Sequence, residues 1–111
     1  MCYQKQYSGF KVVINRETVL RKLKELKPYL EEKYGITEIG LFGSVVRNEH
    51  REDSDIDILI NYDSKKMKSL FRYMELQEEL EEVFGRKVDL VNKKTISPFL
   101  RKRILEEVEY V

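Results

Sequence analysis

The chain has 111 residues, the size of one domain, and 41% of them are hydrophobic, which is enough for one modest core. Charged residues make up 37% of the chain, but 21 Lys and Arg nearly cancel 20 Asp and Glu, and a formal net charge of +1 argues against bulk non-specific nucleic-acid binding. One cysteine and one histidine exclude an intrachain disulfide and a zinc cluster built on histidines.

The first predicted element is an amphipathic helix over roughly residues 16–34. Asn15 is suited to cap its N-terminus, and valine and leucine side chains recur after it at helical spacing. Pro28 lies inside this pattern and should kink or shorten the helix. Gly35 is well placed as the residue just beyond the helix C-terminus.

Two strands are predicted next, on either side of a polar loop. Residues 36–42 alternate between two faces and end at Gly43. Between Val45 and Ser54, residues 47–53 have no apolar face, so we expect a loop after at most one helical turn, and His50 within it is interpreted as a surface residue. In residues 55–60, strict alternation sends Ile56, Ile58 and Ile60 to one face and Asp55, Asp57 and Leu59 to the other.

A second helix is predicted from apolar side chains that recur at helical spacing between Met67 and Phe84. We interpret this stripe as part of the core rather than as a cofactor-binding face. Gly85 ends the helix, and residues 87–91 then predict a third strand, which Asp89 interrupts.

The last predicted element is a short helix over about residues 98–109. Ser97 is suited to be its N-cap, and Pro98 to be its first helical residue. The order helix, strand, strand, helix, strand, helix has no repeat or linker. It predicts a single α/β (α+β) domain over residues 1–111, a small mixed sheet flanked by helices, with its motif core in residues 36–91.

Gly43 and Ser44, at the end of the first strand, suit the binding of a triphosphate. A glycine lets the backbone approach a phosphate closely, and the serine with the following amides can open a helix whose N–H groups favour anionic oxygens. Taken alone, the pair is more often an ordinary turn with a capping serine, but the acids that follow favour phosphate binding. Arg47 is a further candidate phosphate ligand, and a solvated arginine is the alternative.

Three aspartates are the candidate metal ligands and catalytic groups. Asp55 and Asp57 project from the same face of one strand, and Asp89 points outward from another if Val88 and Leu90 pack inward. Converging carboxylates repel each other, and one or two Mg²⁺ ions bound with substrate phosphates would relieve this and support in-line displacement at an α-phosphorus. Asp89 is placed to take the proton of the attacking hydroxyl. The alternative for the first pair is the solvent face of an edge strand.

Three segments, residues 40–47, 54–60 and 86–91, carry a family resemblance. Together they resemble the DNA polymerase β-like nucleotidyltransferase superfamily, and within it the minimal nucleotidyltransferase (MNT) proteins that act as antitoxins to HEPN-domain ribonuclease toxins. The family often has glycine after the arginine that corresponds to Arg47. Here Asn48 follows, and asparagine can also adopt a left-handed conformation, although less freely.

The resemblance implies a polymerase β-like fold and Mg²⁺-dependent transfer of AMP from ATP to a tyrosine hydroxyl. The acceptor would be a cognate HEPN toxin, held in a hetero-oligomer and silenced by adenylylation. The family's nucleotide-binding positions match Gly43, Ser44 and Arg47, and its metal-binding and catalytic acids match Asp55, Asp57 and Asp89.

Two alternative functions stay open. A non-catalytic antitoxin could neutralise its toxin by contact alone, which the intact acids disfavour. Transfer to a small molecule or to an RNA end is disfavoured by the short chain and by the balanced charge. No stretch approaches the roughly 20 apolar residues of a membrane span, and residues 1–10 have no apolar targeting region, so we expect a cytoplasmic protein.

Overall fold

The computed structural model describes residues 14–51 and 53–111 as three helices and four strands. In chain order these are α1 (Arg16–Tyr34), β1 (Ile36–Phe42), β2 (Ile56–Tyr62), α2 (Leu70–Phe84), β3 (Val88–Asn92), a 3₁₀ turn (Lys93–Thr95), α3 (Pro98–Glu107) and β4 (Glu109–Tyr110). The predicted order of elements is confirmed. Strand β4 was not predicted, because two residues are too few to show alternation.

The strands form one mixed sheet in the order β3-β2-β1-β4. Strand β1 is antiparallel to β2 and β4, whereas β2 and β3 are parallel. The end of β1 therefore meets the beginnings of β2 and β3, so that Phe42 pairs with Asp57 and Asp57 pairs with Asp89. This topology places the turn at Gly43 beside the predicted acids.

The helix boundaries follow the capping signals of the sequence. The side chain of Asn15 accepts a hydrogen bond from the N–H of Thr18 at 2.9 Å, and the Thr18 hydroxyl accepts one from the N–H of Asn15 at 3.1 Å. Ser69 caps α2 in a similar way, and Gly35 and Gly85 end the two helices in the left-handed conformation. Within the described ranges, no helix combines the length and apolarity needed to cross a bilayer.

Pro28 does not shorten α1, so that half of the prediction was wrong, whereas the kink stays a prediction. The helix includes Pro28 and continues to Tyr34. Proline removes only one main-chain donor, and the buried side chains on both sides of it, Leu23 and Leu30, hold the helix against the sheet. Tertiary packing therefore outweighs the local preference of one residue.

The main core lies between helices α1 and α2 and the face of the sheet that carries Ile56, Ile58 and Ile60. A smaller cluster on the opposite face joins Phe42 and Leu59 to Ile104 of α3. Since side chains alternate along a strand, Asp57 shares the second face with Leu59. Helix α3 thus covers part of the face on which the predicted acids stand.

The apolar stripe of α2 belongs to the core only in its second half, from Leu76 to Phe84. In the first half, the side chains of Leu70, Phe71 and Met74 are 73%, 83% and 53% exposed. The prediction that the whole stripe is core was therefore wrong for the first turns. Periodicity predicts an apolar face but does not reveal what covers it.

His50 is partly buried, contrary to the prediction of a surface histidine. Its Nε2 lies 2.7 Å from the carbonyl oxygen of Ile14. Its Nδ1 is buried, and no hydrogen-bond partner for it is found within residues 14–51 and 53–111. The contact ties the loop after the Gly43 turn to the start of α1, which a purely polar sequence pattern does not reveal.

Candidate active site

Gly43 ends β1 and lies directly against the carboxylate of Asp57. Its φ angle of 81° is in the left-handed region, where a residue with a Cβ is strained. A Cβ built on Gly43 would lie 2.0 Å from Oδ2 of Asp57, far inside van der Waals contact. Glycine is therefore required here for two reasons, the backbone conformation and the close approach of the aspartate.

A tight turn over residues 44–48 follows Gly43, and the prediction of at most one helical turn is confirmed. The N–H of Glu49 donates to the carbonyl oxygen of Ser44 at 2.9 Å, and the N–H of Arg47 donates to that of Gly43 at 3.3 Å. Asn48 has a φ angle of 58°, the left-handed conformation that asparagine tolerates. The turn therefore closes without glycine at this position.

Asp57 and Asp89 are partners in the parallel pairing of β2 and β3. Val88 is buried and Asp89 is exposed, so Asp89 points outward, as the alternation predicts. Burial, as the largest cause, and the neighbouring carboxylates of Asp89, Asp55 and Glu107 together raise the pKa of Asp57 to about 6. The ionised form of Asp57 is thus disfavoured both by partial loss of solvent and by neighbouring negative charge.

Asp55 stands one residue before β2 and is exposed. Its negative charge contributes to the raised pKa of Asp57. Across residues 14–51 and 53–111, however, no three acidic, histidine or cysteine side chains form a set that could hold a metal ion. The predicted acids therefore meet at one end of the sheet without a closed ligand set, because Asp55 lies outside the strand pairing that positions Asp57 and Asp89.

The pair Asp57 and Asp89 nevertheless suits a hard divalent cation. Such ions prefer carboxylate oxygens together with substrate phosphates. A bound cation would also relieve the like-charge repulsion that contributes to the raised pKa of Asp57. The donor chemistry of the site therefore fits Mg²⁺, with Asp55 free to join as a further ligand from its exposed position.

Glu107, the last residue of α3, is a site residue that the sequence did not suggest. Its Oε2 accepts a hydrogen bond from the N–H of Gly43 at 2.7 Å, and its Oε1 accepts one from the guanidinium of Arg47. Burial alone would raise the pKa of Glu107, but these two bonds and the charge of Arg103 hold the pKa below its usual value. Arg47 also contacts Glu49 at 2.9 Å, so two carboxylates pair with it.

A cleft of about 280 Å³ separates the Gly43 turn from α3. Its walls bring together the predicted nucleotide-binding residues, Phe42, Asp57 and four residues of α3. They are Phe42, Gly43, Ser44, Arg47, Asp57, Leu100, Arg103, Ile104 and Glu107. Arg103 and Glu107 were missed because each lies in a charged run on a predicted helix, where a solvated face is the ordinary expectation.

The chemistry available in the cleft has a cationic and an anionic part. Main-chain N–H groups of the turn, the Ser44 hydroxyl and Arg47 can bind phosphate oxygens. The carboxylate of Asp57 on the cleft wall, and that of Asp89 beside it in the pairing of β2 and β3, can bind a cation or accept a proton. Anion-binding groups next to paired carboxylates are the arrangement needed to hold a nucleoside triphosphate with its metal ion.

Comparison with the sequences of known proteins also indicates an enzyme that binds a nucleotide. The family model described as nucleotidyltransferase domain matches residues 23–111. The protein adenylyltransferase MntA of Thermococcus cleftensis is 46% identical over 85 residues, which are 77% of this chain and 84% of that protein.

Solved structures are similar as well. One that is provisionally described as a minimal nucleotidyltransferase has a TM-score of 0.70 at 34% identity, covering 86% of this chain and 94% of its own. A structure of the tri-AMPylated HEPN toxin of Shewanella oneidensis in complex with its MNT antitoxin has a TM-score of 0.61 at 22% identity, covering 86% of this chain and 70% of the matched one. At that identity the second likeness shows the fold alone.

Proposed function

Because the chain belongs to the nucleotidyltransferase domain family, we propose that it transfers AMP from ATP to a tyrosine hydroxyl of a HEPN-domain toxin and acts as its antitoxin. The fold is that of a minimal nucleotidyltransferase, a four-stranded mixed sheet with three helices. One observation carries the proposal: the turn at Gly43 lies against the carboxylate of Asp57, which is in register with Asp89. Phosphate-binding and acidic groups thus share one cleft.

Two similar proteins support a protein as the acceptor of AMP and a HEPN-domain toxin as the partner. The similar protein of Thermococcus cleftensis is named a protein adenylyltransferase, and the Shewanella oneidensis complex contains an AMPylated HEPN toxin bound to an MNT antitoxin. Transfer to a protein also agrees with the shape of this chain, in which the cleft is open beside α3 and Leu100 on its wall is 49% exposed. A partner protein can therefore bring its hydroxyl to the cleft.

We assign the metal to the acids and the phosphates to the turn. Asp57 and Asp89, joined by Asp55, would hold one or two Mg²⁺ ions, which supply charge neutralisation at the phosphates and favour in-line displacement. Gly43 and Ser44 would orient the β- and γ-phosphates through a main-chain N–H and a hydroxyl. These contacts expose the α-phosphorus to the acceptor.

Asp89 would accept the proton of the acceptor hydroxyl. The hydroxyl oxygen forms a bond to the α-phosphorus while the bond between that phosphorus and the bridging oxygen to the β-phosphate breaks, and pyrophosphate leaves. Asp89 is the more exposed of the two in-register carboxylates, so an incoming hydroxyl can reach it more easily than Asp57. Asp57 is half-buried and better suited to hold a cation.

A second function, neutralisation by contact alone, is favoured by apolar side chains that the fold leaves uncovered. Phe99 on α3 is 95% exposed, and Leu70 and Phe71 on α2 are 73% and 83% exposed. Exposed apolar side chains of this size are typical of protein-binding surfaces. These side chains lie on helices that pack on opposite faces of the sheet, and either group would serve either function, so they support a protein partner without deciding whether AMP is transferred.

The experiment that separates the two functions combines the protein with its HEPN partner, Mg²⁺ and ATP labelled at the α-phosphorus. We expect label on a tyrosine of the partner, loss of label with Asp57→Ala, and full label with Asp53→Ala, the same change at an exposed aspartate that does not line the cleft. Neutralisation of the toxin without any label would establish the contact-only function. Label that survives Asp57→Ala would refute the assignment of the acids.

A further inference from the structure

The carboxylate of Glu107 occupies the position in which the Gly43 turn would hold an anion. Its two oxygens use two different donors, the N–H of Gly43 at 2.7 Å and the guanidinium of Arg47. The proposed function assigns a phosphate oxygen to the N–H of Gly43, and Arg47 is the candidate phosphate ligand beside it. The side chain of Glu107 is only 17% exposed, so it lies in the cleft rather than in solvent.

A phosphate oxygen and a carboxylate oxygen make the same kind of charge-assisted hydrogen bond to a main-chain N–H and to arginine. The one N–H of Gly43 cannot be donated in full to both anions. A phosphate oxygen placed at the same donors would also lie against the negative charge of the Glu107 carboxylate. Binding of the nucleotide and the present contact of Glu107 therefore exclude each other at this donor.

Glu107 can leave by rotation of its side chain, without movement of α3. The backbone after it is held in place, because β4 pairs Glu109 with Leu41 and Tyr110 with Gly40. The carboxylate of Glu109 also pairs with Arg16. The anchor of α3 is thus separate from the contact between Glu107 and the turn, and one can be lost while the other remains.

We propose that Glu107 is a positioning residue that holds Gly43 and Arg47 in the phosphate-binding arrangement and is displaced from them by a phosphate of the nucleotide. The inference rests on the proposed function, since the displacing anion is a nucleoside triphosphate. In the free protein the carboxylate neutralises Arg47 and satisfies the N–H of Gly43. In the nucleotide complex, the phosphate takes over both donors and Glu107 turns towards solvent.

The test measures affinity by calorimetry, with Mg²⁺-ATP and with inorganic tripolyphosphate as probes. Glu107→Gln keeps an oxygen acceptor for Gly43 but removes the competing charge, so both probes should bind about fivefold more tightly, the order expected for one solvent-screened, charge-assisted hydrogen bond. Glu106→Gln is the matched control, because it removes the same charge from the adjacent, exposed position. It should change affinity by less than roughly twofold, as expected for a screened surface charge.

A second measurement, by NMR, follows the N–H of Gly43, the donor for which Glu107 and the phosphate compete. The amide resonance of Gly43 should shift when tripolyphosphate is added to the wild type, because its acceptor changes, and the side-chain resonances of Glu107 should shift in the same titration, because its carboxylate loses both donors; a shift of Gly43 with Glu107 unchanged would contradict displacement. Unchanged or weaker binding by a folded Glu107→Gln variant would overturn displacement, because a purely structural support can only lose affinity when it is weakened.

The outcome for the wild type separates this inference from the proposed function. If the wild type binds Mg²⁺-ATP and Glu107→Gln binds it no more tightly, displacement is wrong and the transferase assignment stands. If neither protein binds Mg²⁺-ATP or tripolyphosphate, the nucleotide site itself is wrong. Thermal unfolding of each variant shows whether the fold is intact before either conclusion is drawn.

Discussion

Replacing Gly43 with alanine tests the geometry of the site most directly. A Cβ at this position destabilises the folded state in two ways, and the two effects add. The left-handed φ of 81° costs a residue with a Cβ about 1–2 kcal/mol. The new Cβ would also lie 2.0 Å from Oδ2 and 2.7 Å from Cγ of Asp57, so the aspartate or the end of β1 must move. We expect a total loss of about 2–4 kcal/mol in the free energy of unfolding, the range for overpacking added to backbone strain.

Gly85→Ala is the matched control for this change. Gly85 has a φ of 64°, and nothing lies within 4 Å of a Cβ built on it. This variant therefore carries the backbone cost without the steric one, and we expect it to lose only about 1 kcal/mol. The difference between the two variants isolates the contact between Gly43 and Asp57.

The assay is urea unfolding of both variants, followed by AMP transfer to the partner under conditions where each is folded. Gly43→Ala should abolish detectable transfer, because it displaces Asp57 and alters the phosphate-binding turn, whereas Gly85→Ala should retain it. Equal loss of stability in the two variants, or wild-type transfer by Gly43→Ala, would refute the packing of Gly43 against Asp57.

Further predictions concern the other groups of the cleft. Ser44→Ala should weaken Mg²⁺-ATP binding by about 1–2 kcal/mol in calorimetry, the cost of one hydrogen bond to a charged group; unchanged affinity would leave Ser44 only a turn residue. Asp89→Asn should retain Mg²⁺-ATP binding while transfer falls by about 10²-fold, with recovery as the pH approaches the phenol pKa of about 10; parallel loss of binding would make Asp89 a nucleotide anchor instead. The pKa of Asp57 rises to about 6 on folding from an ordinary value of 3.8, so the folded state binds its proton more tightly. Without metal, stability relative to Asp57→Asn should therefore fall as the pH rises from about 4 to 6 and level off above it; a difference that is constant with pH would contradict the raised pKa.

The exposed apolar side chains of α2 and α3 predict that a protein partner stabilises the fold. Phe71 and Phe99 are 83% and 95% exposed, and their burial by a partner would stabilise the folded state. We therefore expect a higher melting temperature in the complex with the partner toxin than in the free protein. Variants of the cleft should be compared in both states, since only the free protein reports the cost of a substitution within this fold.

The sequence alone determined the order of the elements and most of the site. Helix boundaries could be predicted because capping is local: the signals lie within a few residues of Asn15, Gly35 and Gly85. The acids could be predicted because alternation along a strand decides which side chains share a face, and Asp57 and Asp89 need only parallel pairing to meet.

Tertiary structure alone decided which groups touch the Gly43 turn. Glu107 is 64 residues away from Gly43 along the chain, and nothing in its local pattern distinguishes it from the exposed Glu106 beside it. Its place depends on the path of α3 across the sheet and on the anchoring of the following residues to β1 through β4. Likewise, the partial exposure of α2 depends on which of its turns the sheet and α1 cover. Contacts of this kind join residues far apart in the chain, and periodicity within a short segment carries no information about them.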